Sequence, residues 1–316
     1  MNDTPSPAEL SEAVAVGCGL EGCPLTTRDE VSSQGWRFLA CRRCRQMRLP
    51  PDCLTADRVD PDPVGRLSLA MRILFGMRMA WLTRAVPRYG DRDAAWLDAG
   101  CGDGQFLEYL TASGYKRAVG MEPDALRAEN ARKRGAAVYD STEAAMAATG
   151  IERFDLVTLW HVVEHVPQPA DLLGYYAALL APGGALVFQV PNHESAQTGL
   201  FGRWSAFPDY GRHLWFHNPA LVEWTREAVP GYEVGRLRDF NFEYEIYGWV
   251  DTFGSAMASR QNFIHRRIKK GEGTQRDKFV GAAAAAALLP FATLSAAASL
   301  ATGRGSTLTV MVRRPQ

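Results

Sequence analysis

The chain has 316 residues, with 35 basic and 35 acidic side chains, 47% hydrophobic content and six cysteines. That is material for one large or two small domains with a buried core. A net charge of zero removes the electrostatic footprint by which most nucleic-acid binders attract phosphate, so no nucleic acid is expected as a partner. Met1 to Leu10 carries acids and two prolines where a secretory signal would have a basic start and an apolar run. A cytoplasmic, reducing compartment is expected. There, paired cysteines serve as metal ligands more readily than as disulfides.

Residues 1–15 show no periodic pattern and read as a loose tail. From 16 to 56 the chain is cysteine-rich. Cys18 and Cys23 enclose four residues, Cys41 and Cys44 enclose two, and 17 residues separate the pairs. This spacing suits two knuckles around one tetrahedral zinc, with a short strand carrying Trp36, Phe38 and Leu39 between them. Four thiolates would leave no open coordination position, so the metal's role would be folding. Cys53 and Cys101 read as small packed residues. Asp57 to Gly65, rich in aspartate and proline, marks a linker and a boundary near residue 57. Next comes an amphipathic helix over Arg66–Val86, completing a 57–90 segment. It sets Leu67, Ala70, Met71, Leu74, Met77 and Leu82 on one stripe, turns Arg66, Arg72, Arg78 and Arg84 elsewhere, and stops at Pro87.

From 91 to 240 short apolar strands alternate with helical stretches. The expected elements are a strand at Ala94–Ala99, a helix at Gln105–Ser113, a strand at Arg117–Met121 and a helix at Ala125–Arg134. They continue as a strand at Ala136–Tyr139, a helix at Thr142–Ala148, a strand at Phe154–Trp160 and a helix at Ala170–Leu180. A turn at Pro182-Gly183-Gly184 leads into the strand Ala185–Val190. A helix at Pro219–Ala228, a strand at Tyr232–Phe240 and a final strand at Ser306–Val312, within 305–316, complete the pattern. The βαβ rhythm predicts an α/β fold with a parallel sheet. Residues 241–304 form an insertion far longer than an ordinary loop.

The first strand ends Leu97-Asp98-Ala99-Gly100-Cys101-Gly102-Asp103-Gly104, an acid followed by a GxGxG turn that opens a helix. Such glycines allow close approach of backbone to a ligand, and the helix start offers unpaired amides. A dinucleotide fingerprint would need its third glycine where Gln105 stands. The next strand ends at Glu122, about 20 residues on, where a carboxylate can accept both hydroxyls of a ribose. An adenosine-type cofactor is therefore indicated.

LDAGCGDG, VGMEPD, FDLVTLWHVVEHV, LLAPGGALVFQVPN and GRHLWFHNP, in this order and spacing over most of 91–240, resemble the class I S-adenosylmethionine-dependent methyltransferases. The resemblance implies a Rossmann-like seven-stranded sheet with its last strand antiparallel. It also implies that Asp98, Gly100 and Gly102 surround the methionine part of S-adenosylmethionine and that Glu122 holds the ribose. Asp140 and Ser141 would lie near the adenine, and backbone around Trp160 and His161 would close the far side of the sulfonium. Many proteins that look like this one carry an N-terminal ribbon.

His161-Val-Val-Glu164-His165 matches an HxxEH zinc-hydrolase pattern by letters, but that site needs a continuous helix, and this stretch follows a strand and soon meets Pro167 and Pro169. It also resembles the acidic ExxEH stretch of some quinone O-methyltransferases, as a looser divalent-ion site, with His161 replacing an acid. For a hydroxyl or acidic-carbon acceptor the reaction needs a base. His165 and His213 are the candidates, since histidine titrates near neutrality. The alternative is that either histidine hydrogen-bonds loop backbone. Asp209, Tyr210 and Arg212 flank His213 as weaker acceptor contacts.

Within the insertion, Phe279 to Gly303 is 25 residues without a charge, interrupted by Pro290. Both ends must return to one sheet, which excludes a single crossing of a membrane. Split at the proline, each arm would span roughly 18 Å, short of a bilayer's apolar slab of about 30 Å, leaving a shallow hairpin. Arg260 to Lys278 holds seven basic and two acidic residues and could attract an anionic surface. Peripheral contact through 260–303 on the inner face of the membrane is one expectation. A helical pair buried in the core or in a homodimer contact is the other. Leaving the ligand end of the sheet, the insertion should border the acceptor pocket.

The chain is accordingly read as a methyltransferase with a structural zinc, acting on a small-molecule or lipid-linked acceptor and more readily on oxygen than on carbon or nitrogen. The alternatives are an interaction protein built on the zinc ribbon with a vestigial cofactor fold, and an NAD-dependent oxidoreductase.

Overall fold

The computed structural model describes residues 29–30, 38–41, 43–50, 67–206, 209–237, 243–268 and 274–316. Its strands in chain order are β1 (Asp29–Glu30), β2 (Leu39–Ala40), β3 (Met47–Arg48), β4 (Trp96–Ala99), β5 (Ala118–Met121) and β6 (Val138–Tyr139). They continue as β7 (Phe154–Trp160), β8 (Leu180–Pro191), β9 (Trp215–Phe216), β10 (Glu233–Leu237) and β11 (Thr307–Arg313). The helices are α1 (Leu69–Ala85), α2 (Gln105–Ala112), α3 (Ala125–Lys133), α4 (Thr142–Thr149) and α5 (Pro169–Ala178). After them come α6 (Ala196–Phe201), α7 (Leu221–Ala228), α8 (Gly248–Ala258), α9 (Phe263–Ile268) and α10 (Gln275–Ala301). The chain divides into two compact units, one drawn from Ala56–Val190, Val222–Asp239 and Thr309–Gln316, the other from the remaining segments.

The first unit is built on a seven-stranded sheet of order β10-β11-β8-β7-β4-β5-β6. β4 runs parallel to β5 and β7, β5 to β6, and β7 to β8, while β11 is antiparallel to β10. This is the mixed α/β, mostly parallel architecture expected from the sequence. All four residues of β4 are buried, which is why Trp96, Leu97 and Ala99 do not alternate with solvent-facing residues and the one acid, Asp98, is taken into the core. Polar atoms beside β4 find partners in this core: Trp96 Nε1 donates to Thr158 Oγ1 at 3.0 Å, and the Tyr89 hydroxyl donates to the Val157 carbonyl at 3.2 Å.

Two expectations within this unit change. On α1 the stripe facing the core is Phe75, Met79 and Leu82, whereas Met77 is exposed along with Leu69 and Ile73. The apolar residues were dense enough to permit two phases, and burial of the Phe75 ring against Phe106, centroids 5.3 Å apart, selects this one. Pro182-Gly183-Gly184 does not separate two elements but lies inside β8. Phe154 pairs with Leu180 and Leu156 with Ala185, so the extra residues form an irregularity in one strand, with Gly183 at φ +67°.

The second unit holds a four-stranded sheet, β1-β2-β3-β9, and a helical layer. β3 pairs antiparallel with β9, Met47 opposite Phe216 and Arg48 opposite Trp215. His217 Nδ1 lies 2.8 Å from Gln46 Oε1, and the Asn218 amide donates to the Arg45 carbonyl at 2.6 Å. In the helical layer Trp249, Val250, Ile264, Ala292 and Ala296 form a core shared by α8, α9 and α10. Glycine permits this closeness: a Cβ on Gly254 would lie 2.6 Å from Ile264 Cγ1.

The expectation of a break at Pro290 is corrected. α10 is one helix of 27 residues with Pro290 inside it. A Thr274–Asp277 capping box starts it, and its alanine-rich body has high intrinsic helix propensity. The hydrogen bond that proline removes would have been accepted by the carbonyl of residue 286, and both positions lie on the exposed side of the helix.

Candidate cofactor site

The site lies at the ends of β4, β5 and β7 in the first unit. β4 delivers Asp98, only 3% exposed, whose carboxylate accepts the Thr158 hydroxyl of β7 at 2.7 Å. Burial pushes the Asp98 carboxyl up to about 7; the Thr158 hydrogen bond and the Arg78 charge oppose that rise, and the Glu122 charge adds to it.

The turn that follows needs its glycines for different reasons. Gly100, Gly102 and Gly104 all have positive φ, at +71°, +56° and +74°. A Cβ on Gly100 would lie 2.6 Å from Val162 Cγ2, and one on Gly104 would lie 2.9 Å from the Ala131 Cα. A Cβ on Gly102 would meet only Arg127 Nη1, at 4.0 Å. Thus two glycines serve packing, and Gly102 faces open space.

Glu122 closes the cradle from the end of β5. It is 7% exposed, and its two carboxylate oxygens accept the Gly102 amide at 2.8 Å and the Asp124 amide at 3.0 Å. The carboxylate is fixed in orientation, and each oxygen keeps a lone pair for a further donor. Asp124 in turn caps α3 by accepting the amides of Leu126 and Arg127, both at 3.0 Å.

Trp160 ends β7, and its indole Nε1 is buried without a hydrogen-bond partner. The Arg78 guanidinium of α1 sits 4.4 Å from the Trp160 ring centroid and 5.6 Å from that of Phe106. Arg78 was expected to turn away from the core with the other arginines of its helix. Periodicity sorts α1 by polarity alone and carries no signal for a guanidinium laid over aromatic rings. Thr158 and Val162 were likewise not singled out by sequence.

The remaining candidates are placed as follows. Asp140 is exposed and ion-paired to Arg132 at 2.6 Å, and the Ser141 hydroxyl caps α4 by accepting the Ala144 amide at 3.1 Å. His161 adopts a left-handed φ of +56°, with Nδ1 3.2 Å from Glu164 Oε1 and Nε2 3.2 Å from Gln189 Oε1. Residues 163–165 form a short 3-10 turn, so His161 and His165 do not share an α-helix of the hydrolase kind. His165 is exposed, at the end of that turn. His213 belongs to the other unit, where it is buried and its amide bonds the Asp209 carbonyl at 3.0 Å. Also there is His193, among the rings of Phe38, Tyr210 and Phe216, with burial lowering its imidazole to about 4.

Cys41 and Cys44 are buried and reduced, with the Cys44 amide directed at Cys41 Sγ at 3.5 Å. Cys18, Cys23 and Cys53 lie outside the described residues. Cys101 is partly buried in the cofactor turn, where desolvation pushes its thiol up.

A parallel sheet with a glycine turn after one strand and a carboxylate ending the next defines the nucleotide-cofactor-binding α/β proteins. A family model described as a methyltransferase domain matches residues 73–230, half the chain. The chain belongs to this methyltransferase domain family.

Among curated relatives it is similar to the ubiquinone biosynthesis O-methyltransferases of three organisms. For Ralstonia nicotianae the identity is 32% over 129 residues, 39% of this chain and 52% of that protein. For Serratia proteamaculans it is 32% over 164 residues, 50% of this chain and 61% of that protein. For Sodalis glossinidius it is 34% over 160 residues, 49% of this chain and 57% of that protein. The chain thus spans about half the length of the curated relatives it matches. Among solved structures it is similar to the plantazolicin methyltransferase BamL at TM-score 0.47 and 15% identity, covering 78% of this chain and 87% of that one. Coclaurine N-methyltransferase follows at TM-score 0.45 and 13% identity, covering 83% and 79%.

Proposed function

We propose that the chain transfers the methyl group of S-adenosylmethionine to an oxygen of a small-molecule or lipid-linked acceptor. The observation that carries this reading is the Glu122 carboxylate, which holds the Gly102 amide at 2.8 Å beside a glycine facing open space. The donor set fits the cofactor: a carboxylate with lone pairs to spare for ribose hydroxyls, a second buried carboxylate, Asp98, for a cationic methionine part, and an orphaned indole N–H at Trp160. The names of the relatives favour oxygen as the accepting atom.

When bound, S-adenosylmethionine supplies a methyl group on a cationic sulfur, ready for in-line displacement. The protein orients and encloses. Glu122 would hold the ribose, and Asp98 with the turn at Gly100 and Gly102 would surround the methionine part, beside the Arg78 guanidinium that lies over the Trp160 ring. Ser141 has its hydroxyl engaged as a cap, so it would meet the adenine through backbone, with Asp140 beside it. Backbone at Trp160 and His161 closes the opposite wall. His165 or His213 accepts the acceptor's hydroxyl proton. Glycine spacing disfavours the oxidoreductase reading.

A structural zinc on Cys41 and Cys44, completed by Cys18 and Cys23, belongs to the same proposal. Its support is the amide-to-sulfur contact at 3.5 Å and the left-handed Arg45, φ +59°, which turns the chain back after the second cysteine.

Calorimetric titration with S-adenosylmethionine tests cofactor binding. Incubation of enzyme, isotopically labelled cofactor and cell extract, followed by mass spectrometry, tests the acceptor. Label recovered on an oxygen of a small molecule or lipid is expected. No heat of binding would overturn the assignment.

A further inference from the structure

α10 presents its side chains in the reverse of the usual order. A helix on a soluble protein buries its large apolar residues and exposes polar ones. Here the positions packed against α8 and α9 are small, with Gly281, Ala292, Ala296 and Ser299 buried. Leu288 packs inward, but three bulky residues point outward, with Phe279 75%, Phe291 62% and Leu294 70% exposed. Small residues on the inner face bring the helices close. A Cβ on Gly281 would lie 3.0 Å from Arg267 Cβ.

The outer face is continuous and uncharged. No Asp, Glu, Lys or Arg occurs from Phe279 to Gly303, so the face runs for about 33 Å at 1.5 Å per residue between Phe279 and Ala301. Water gains nothing from such a strip, and a monomeric soluble protein rarely exposes one. Among the described residues α10 is the helix long and apolar enough to cross a membrane, with mean hydropathy 1.8. Its inner side is occupied by α8 and α9, so lipid can reach only the outer side, which is the geometry of an interfacial helix and not of a span.

Charge selects the occupant. Arg260 to Lys278, a stretch that includes α9 and the first turn of α10, holds seven basic residues against two acidic ones; among its described residues Arg260, Arg266 and Arg276 are exposed, whereas Arg267 lies over the Phe263 ring. Basic residues beside an apolar helix face complement an anionic leaflet. They would repel the same segment of a second copy of the chain. We propose that the outer face of α10, with the basic run before it, docks the protein on the surface of an anionic lipid bilayer. This rests on the second unit alone and does not depend on the methyl-transfer reading.

The test is flotation of the full chain with two kinds of vesicle, phosphatidylcholine alone and phosphatidylcholine mixed with phosphatidylglycerol. Wild type should float with the mixed vesicles, less with neutral ones, and less again at high salt. Phe279→Gln, Phe291→Gln and Leu294→Gln combined, all at exposed positions, should reduce vesicle binding by at least about tenfold with an unchanged circular dichroism spectrum. Arg276→Glu with Lys278→Glu, which leaves the apolar face intact, should remove the preference for mixed vesicles. Wild type that stays in solution with both vesicle types overturns the proposal. So does sedimentation showing a wild-type dimer that the triple substitution converts to monomer, since the face would then belong to a second copy.

Discussion

The Thr158 hydroxyl donates to the Asp98 carboxylate at 2.7 Å across adjacent parallel strands, in a core from which water is excluded. One hydroxyl does not replace the hydration of a full charge. The carboxyl therefore rises from 3.8 to about 7, with burial as the leading cause.

A pH dependence follows from that pair. Between roughly pH 4 and pH 7 the folded chain holds a proton on Asp98 that the unfolded chain has released. Its contribution to stability is present below pH 4 and is lost as pH rises through 7, on the order of 4 kcal/mol across the window. Thermal melts of Asp98→Asn without cofactor should be flatter over this range than those of wild type. A cationic ligand favours the ionised form, so S-adenosylmethionine should bind more tightly as pH rises from 6 to 8, with proton release detectable by calorimetry in buffers of different ionisation enthalpy. Arg78→Met removes a charge that holds the carboxyl down, and should move this transition to higher pH. A flat pH profile would contradict the account.

Glu122→Ala should cost both affinity and stability. It takes the acceptor from the Gly102 and Asp124 amides, each loss worth about 1–3 kcal/mol where the amide stays dry. Cofactor affinity should fall about ten- to a hundredfold, since hydrogen bonds to a charged group contribute about 1.5–3 kcal/mol each. Isothermal titration and a thermal melt measure the two effects separately.

Alanine in the glycine turn should separate folding from binding. Gly100→Ala places a methyl 2.6 Å from Val162 Cγ2, in addition to the strain of φ +71°, and should lower the melting temperature markedly. Gly102→Ala meets no atom closer than 4.0 Å and carries only the backbone strain of about 1 kcal/mol, yet its methyl enters the open space at the turn. A nearly normal melt with lost cofactor binding is expected, and retained binding would remove Gly102 from the site.

Cys41→Ser or Cys44→Ser should abolish stoichiometric zinc, measured by plasma mass spectrometry of the purified protein. Strong chelators should unfold the hairpin containing Leu39–Ala40 and Met47–Arg48 while leaving calorimetric binding of S-adenosylmethionine in place. A metal-free wild type of unchanged stability would count against the ribbon.

Legibility in the sequence followed local physics. β4, β5 and β7 stand out because parallel strands buried on both faces are largely apolar, and Gly100 and Gly102 because their φ values favour glycine. The helical character of the insertion was legible, but its continuity through Pro290 was not, since a strong helix former on either side outweighs one missing hydrogen bond. Arg78 was invisible because its partners Trp160 and Phe106 are far away in the chain. The pairing of β3 with β9 was invisible too, as strands of two residues leave no periodicity.

That last pairing has a consequence for how the chain is made. The hairpin carrying Met47 and Arg48 leaves the ribosome long before Trp215 and Phe216 exist, and until they arrive its outer edge has no strand to join. Shortening the chain from its start to isolate the catalytic part would create the opposite orphan, an aromatic ribbon with its amides bare. Such a truncation is expected to aggregate during expression, even though every residue of the cofactor cradle would still be present.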